Sequence, residues 1–117
     1  MKTGPINLQN QSLRSLHNRR EALVQRLPPL SAILRGSLIE RYKPCGKPGC
    51  KCAQGPGHGP KYYLSISQPG ARPVMDYVPQ DVHETVTQYL ENFRLAREIL
   101  DQICAINREL LRRRETL

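Results

Sequence analysis

Lys61-Tyr-Tyr-Leu-Ser-Ile-Ser-Gln-Pro-Gly-Ala-Arg-Pro-Val-Met-Asp-Tyr-Val78 is the stretch on which the fold turns. Residues 61–67 alternate, with Tyr62, Leu64 and Ile66 on one side, the period-two pattern of a half-buried strand. Gln68-Pro69-Gly70-Ala71 fits a type II turn, with Pro at the second position and Gly at the third, where positive φ is required. Arg72–Val78 then returns as the partner strand. Strands this short need further elements to lean on. Upstream, Ser37–Tyr42 has strand character and supplies a third strand. The chain is therefore not helical from end to end.

On the C-terminal side the pattern changes to helix. Val82, Val86, Tyr89, Phe93, Ala96, Leu100, Ile103, Asn107 and Leu110 follow a 4,3 spacing without a slip, the a/d pattern of a coiled coil. Leu90, Leu95, Ile99 and Ile106 widen that stripe. Asp81 with Glu84 resembles a capping box, and Arg112-Arg113-Arg114 places positive charge at the helix C-terminus, where the dipole favours it. A helix of roughly 35 residues spans about 50 Å, against a radius of gyration of roughly 13 Å for a compact domain of this size. It must project, bend or pack against another chain, and a homodimer is expected. Asn107 is the kind of polar core residue that sets register and oligomer state. Cys104, among isoleucines, reads as a small core residue, and His17 and His83 as solvated side chains.

On the N-terminal side a loose arm leads into a helix over about residues 8–27. Leu13, Leu16, Leu23, Leu27 and Leu30 form its stripe, and Arg20 holds its one polar place. Pro28-Pro29 ends it, and Ser31–Arg35 is expected to add a short helical turn before Gly36. The fold class is thus α+β: an N-terminal helix, a small three-stranded antiparallel sheet and a long C-terminal helix. In chain order it divides into residues 1–30, 31–79 and 80–117.

Charge is distributed unevenly along the 117 residues, whose net formal charge is +8. Residues 1–60 carry ten basic side chains against Glu21 and Glu40, whereas residues 61–117 balance eight against eight. That asymmetry points to a polyanionic partner, the alternative being a basic surface kept for solubility. With no Trp, one Phe and five Tyr, the aromatic stock for a large core is thin. No apolar run is long enough to span a membrane. The polar N-terminus lacks a signal-peptide h-region, so a cytoplasmic location is expected.

Pro44–Pro60 differs in kind from its surroundings. Nine of its 17 residues are Gly or Pro, and it holds three of the four cysteines. Cys45, Cys50, Cys52 and His58 form a Cys3His set, one of the standard donor sets for structural Zn2+. The spacing matches no common zinc finger or knuckle, and plain reduced cysteines in a loop are the competing explanation. A bound metal would supply folding energy that so polar a segment cannot gain by burial. Arg41, Lys43, Lys47, Lys51 and Lys61 flank the cluster, with Tyr42, Tyr62 and Tyr63 at its edges. Cations neutralise phosphates and aromatic faces stack on unpaired bases. Arg41, Lys43, Lys47, Lys51, Lys61 and Tyr63 are accordingly the candidate nucleic-acid contacts, DNA being favoured over RNA. For Tyr62 the alternative is the hairpin core, and for Tyr63 padding on its outer side.

Leu34-Arg-Gly-Ser-Leu-Ile-Glu-Arg-Tyr42, Cys45-Gly-Lys-Pro-Gly-Cys50-Lys-Cys52-Ala53 and His58-Gly-Pro-Lys-Tyr-Tyr-Leu64 together resemble a family of small uncharacterised bacterial and archaeal proteins, a domain of unknown function. The resemblance covers roughly residues 31–111. It implies that the three cysteines and the histidine belong together, and it implies an association with transposase-like genes and mobile elements. It implies no enzymatic activity. The first sixty residues offer only Glu21 and Glu40, too few carboxylates for metal-assisted phosphodiester cleavage. The expected function is a non-enzymatic, zinc-stabilised, dimeric nucleic-acid-binding protein, an accessory factor or regulator of a mobile element. Alternatively the long helix is a protein-interaction adaptor and the zinc loop is purely structural.

Overall fold

The computed structural model describes residues 7–43 and 58–117. Helix α1 is Leu13–Gln25 and helix α2 is His83–Arg112. Strands β1 (Ser37–Lys43), β2 (His58–Gln68) and β3 (Ala71–Val78) form one antiparallel sheet in that order. The architecture is α+β. Two compact units are present, one of Met1–Ser31 with Arg94–Leu117, the other of Ala32–Phe93.

In the first unit, the apolar N-terminal stripe begins as a 3-10 turn at Leu8–Asn10 and becomes α-helix only after Ser12. The Ser12 hydroxyl accepts from the Ser15 amide at 3.0 Å, which satisfies one of the helix's orphan donors. Arg26 forms the C-cap, and Pro28 and Pro29 prevent continuation. Leu16, Leu23, Ile99, Ile106 and Leu110 form the buried core, with Leu8, Leu27, Leu95 and Ile103 packed around it. Full burial of each such side chain is worth about 1.5–3 kcal/mol, so these five residues dominate the stability of the unit.

The buried seam of α2 is narrower than the expected apolar stripe. It runs through Ala96, Ile99, Ile103, Ile106 and Leu110, while Leu100 and Cys104 are exposed. At 3.6 residues per turn, Ile99, Ile103, Ile106 and Leu110 fall on one narrow arc, which leaves Leu100 at its rim and Cys104 beyond it. Leu13 and Leu30, at the ends of the α1 stripe, are likewise exposed. The Asn107 side-chain oxygen accepts from Arg20 Nη1 at 2.7 Å. The two polar positions of the two leucine stripes thus satisfy each other, and Arg20 also reaches the Leu117 carbonyl at 3.3 Å.

The arginine run ends α2 by direct bonding. Arg112 and Arg113 pair with the buried Glu109 at 2.9 and 2.7 Å, and Arg113 Nη2 donates to the Leu8 carbonyl at 2.9 Å. Glu115 N donates to the Leu110 carbonyl and Arg114 N to that of Leu111, the two bonds of a Schellman motif. Arg114, at φ 58°, occupies the left-handed position that glycine usually takes.

The helical turn expected over Ser31–Arg35 is not formed, and residues 32–35 belong to the second unit. Their backbone is bonded to α2 instead: Leu34 N donates to the Tyr89 carbonyl at 3.1 Å, and Asn92 Nδ2 donates to the Ala32 carbonyl at 2.9 Å. Gly36 follows at φ 138°, and a Cβ there would lie 2.7 Å from the Ser65 carbonyl oxygen. Only glycine lets β1 begin so close to β2. Pro79 caps a 3-10 turn at Gln80–Val82 without a side-chain bond, and Asp81 lies inside that turn. His83 is half-buried, its ring stacked 4.0 Å from that of Tyr62, so it is not a solvated surface group.

The sheet register contains two shifts, each beside a proline. Leu38 pairs with Leu64 and Arg41 with Lys61, but Lys43 pairs with His58, so Gly59 and Pro60 oppose Tyr42 alone. Tyr63 pairs with Tyr77 and Ile66 with Val74, but Gln68 pairs with Ala71, so Arg72 and Pro73 oppose Ser67. Proline has no N–H for the ladder, and bulges are where strands tolerate it. Gly70, at φ 68°, closes the two-residue turn as the Pro-Gly pair requires.

Candidate functional site

Register and alternation divide the sheet into two unlike faces. Leu38, Glu40, Tyr62, Leu64, Ile66, Val74, Asp76 and Val78 share one side; Leu64 and Val78 are buried there, and Tyr62 stacks on His83. On the other side lie Ile39, Arg41, Lys61, Tyr63, Ser65, Met75 and Tyr77. Both carboxylates of the strands, Glu40 and Asp76, have the parity of the first face. The second, outer face draws no negative charge from its own strands.

Three of the six candidate nucleic-acid contacts come together on this outer face. Arg41 and Lys61 are direct cross-strand partners, both exposed. The Arg41 guanidinium carbon lies 5.8 Å from the centre of the Tyr63 ring, a cation–π distance. Tyr77, which sequence reasoning missed, completes the group. It is the cross-strand partner of Tyr63, with ring centroids 5.7 Å apart and an edge-to-face angle of 64°. Tyr77 is 57% exposed and Met75 36%. Like charges directly opposite each other in a sheet are destabilising, and no carboxylate among the described residues pairs with Arg41 or Lys61.

Lys43 ends β1 and pairs with His58 at the start of β2. Residues 44–57 thus connect two backbone positions held side by side, at the same end of the sheet as Arg41 and Lys61. Cys45, Cys50 and Cys52, with Lys47 and Lys51, lie outside the described residues. Among the described residues, no three His, Cys, Asp or Glu side chains gather as a metal site. Tyr42 has the parity of the inner face. Its hydroxyl donates to Glu40 Oε1 at 3.0 Å, and that bond to a carboxylate raises the phenol above its ordinary pKa.

A depression of about 520 Å³ in the helical unit is lined by Asn7, Leu8, Gln9, Ala105, Arg108, Glu109 and Arg112. Glu109 and Arg112 are already paired with each other there. Its chemistry is that of a helix end fastened to a neighbouring turn. The outer sheet face is the stronger candidate because Arg41 and Lys61 have no such partner among the described residues.

Fold and site together define a small α+β protein that presents an open basic and aromatic sheet face. Residues 13–88 match the family described as Domain of unknown function (DUF6788), and the chain belongs to that family. No curated protein and no solved structure matches it. Among the described residues, no helix is long and apolar enough to cross a membrane.

Proposed function

We propose that this chain is a non-enzymatic nucleic-acid-binding protein, an accessory factor or regulator of a mobile element that acts on DNA rather than RNA. The observation that carries the proposal is the outer face: Arg41 opposite Lys61, Tyr63 against Tyr77, and no strand carboxylate among them. Cations without internal partners cost the fold little to offer to phosphates, and each phosphate contact releases counterions. Lys43, Lys47 and Lys51 add positive charge to the same stretch of sequence. Fluorescence anisotropy with a labelled oligonucleotide across a salt series tests this. Affinity should fall steeply with salt, and Arg41→Gln with Lys61→Gln should flatten the slope by about one to two. Absent or salt-independent binding overturns it.

Cys45, Cys50, Cys52 and His58 hold a structural Zn2+ in this proposal. The donor set is suited to zinc, and the Lys43–His58 pairing brings the two ends of the segment together. Stoichiometric zinc in protein purified without added metal is the expected result, and its absence removes the metal from the proposal.

The chain also forms a homodimer through its helices. Leu13 and Val24 stand seven residues before and four after Arg20; Leu100 and Leu111 stand likewise about Asn107. All four are exposed, 38%, 43%, 51% and 63% respectively. They therefore flank the Arg20–Asn107 pair as a second seam beside the buried one, the arrangement by which two helix pairs close into a four-helix bundle. That seam equally favours the adaptor alternative, in which another protein's helix covers it. Sedimentation equilibrium separates the two: a dimer at micromolar concentration that Leu100→Glu dissociates supports self-association, and a monomer throughout leaves the adaptor.

A further inference from the structure

We propose that the outer sheet face takes an unpaired strand rather than a duplex, with bases on Tyr77 and Tyr63 and phosphates at Arg41 and Lys61. This rests on the nucleic-acid proposal above and specifies its substrate. The decisive feature is the position of the aromatic pair. Tyr63 lies on the central strand and Tyr77 on the edge strand directly beside it, rings 5.7 Å apart, with Tyr77 57% exposed. A tyrosine ring laid open in this way offers a π-face, and base–aromatic stacking needs a base whose own face is free. In a duplex those faces are covered by neighbouring pairs. The major groove of B-DNA, moreover, admits a helix or a two-stranded ribbon, whereas these rings sit on the face of a three-stranded sheet.

The charges occupy the complementary position. Lys61 lies two residues along β2 from Tyr63, and its partner Arg41 lies on β1, the strand on the other side of β2 from Tyr77. Their direct opposition is unfavourable in isolation, and a phosphate seated between them relieves it. Arg41 also touches the Tyr63 ring at 5.8 Å, which links the phosphate end of the face to the stacking end. Glu40 and Asp76, the carboxylates that would repel a backbone, point to the opposite side by parity. Met75, 36% exposed on the same face, adds an apolar contact for a base.

The test compares the full-length chain on fluorescein-labelled dT12, rU12 and a 12-base-pair DNA duplex at low salt, for wild type, Tyr77→Leu and Tyr77→Phe. Wild type should bind dT12 at least tenfold more tightly than duplex. Tyr77→Leu should weaken dT12 binding roughly fivefold to hundredfold with the salt slope unchanged, while Tyr77→Phe, which keeps the ring, should bind as wild type. A circular-dichroism melt of both variants verifies the fold, and the wild-type preference for dT12 over duplex carries the test if Tyr77→Leu does not fold. Equal affinity for duplex, or Tyr77→Leu binding dT12 as wild type does, overturns the unpaired-strand proposal and leaves nucleic-acid binding standing. Tighter binding of rU12 than dT12 keeps the strand and overturns DNA as its type. No binding to any of the three overturns both, and points to a protein partner for this face.

Discussion

Three cations of the helical unit and two of the sheet unit are held in opposite ways. In the helical unit, Arg20 is bonded to Asn107, and Arg112 and Arg113 are bonded to Glu109, with Arg113 also reaching the Leu8 carbonyl. In the sheet unit, Arg41 and Lys61 are exposed cross-strand partners with no carboxylate partner among the described residues, and Arg41 lies over the Tyr63 ring. Cations of the first kind hold elements together, and substituting them leaves acceptors unpaired. Cations of the second kind are available to a ligand, and substituting them relieves repulsion. A basic residue in the sequence thus says little about function until its partners are known.

Four measurements break or sharpen that contrast. The largest effect is expected in the helical core, where Ile99→Ala should cost about 2–5 kcal/mol in chemical denaturation, since Ile99 is fully buried among aliphatic neighbours. A loss below 1 kcal/mol would mean that the helical unit contributes little. Next, Gly36→Ala should cost about 2–3 kcal/mol, because φ 138° is closed to side chains and the added carbon meets the Ser65 carbonyl. The charge contrast itself comes third: Arg20→Ala should destabilise by about 1–3 kcal/mol through the orphaned Asn107. Arg41→Gln or Lys61→Gln should instead leave stability within about 0.5 kcal/mol or raise it. Equal losses at both places would abolish the distinction.

The smallest effect concerns Arg114. Arg114→Gly should stabilise by about 0.5–1 kcal/mol, since the left-handed φ of 58° is strained for any residue with a Cβ. Unchanged or lower stability would show that the arginine side chain has a partner worth more than the strain.

Much of the scaffold was legible along the chain. The Pro69-Gly70 turn, the alternation of residues 61–67 and the unbroken 4,3 spacing after Val82 specify a hairpin and a long helix, and both are present. Arg20 and Asn107 stood out as the polar exceptions in two leucine stripes. That they satisfy each other within one chain became visible only once the helices were packed. Leu100 and Cys104 were expected in the apolar stripe of α2 but are exposed, because the stripe was read wider than the arc that the core covers. Residues 31–35 read as a helical turn because no sequence pattern reveals that their backbone bonds to α2.

By itself the sequence determined the α+β composition, the position of the turn, the basic first half, and Arg41, Lys61 and Tyr63 as candidate contacts. These are local properties: propensity, periodicity and charge are carried by neighbouring residues. The tertiary structure decided what shares a face with them. Counting back from the Pro69-Gly70 turn in strict alternation sets Asp76 opposite Tyr63, a carboxylate beside the basic pair. The bulge at Arg72-Pro73 adds one residue, and Tyr77 takes that place while Asp76 turns to the other side. Pro73 cannot donate to the ladder, so the strand accommodates it by bulging, and one shift of register turns every later side chain to the opposite face.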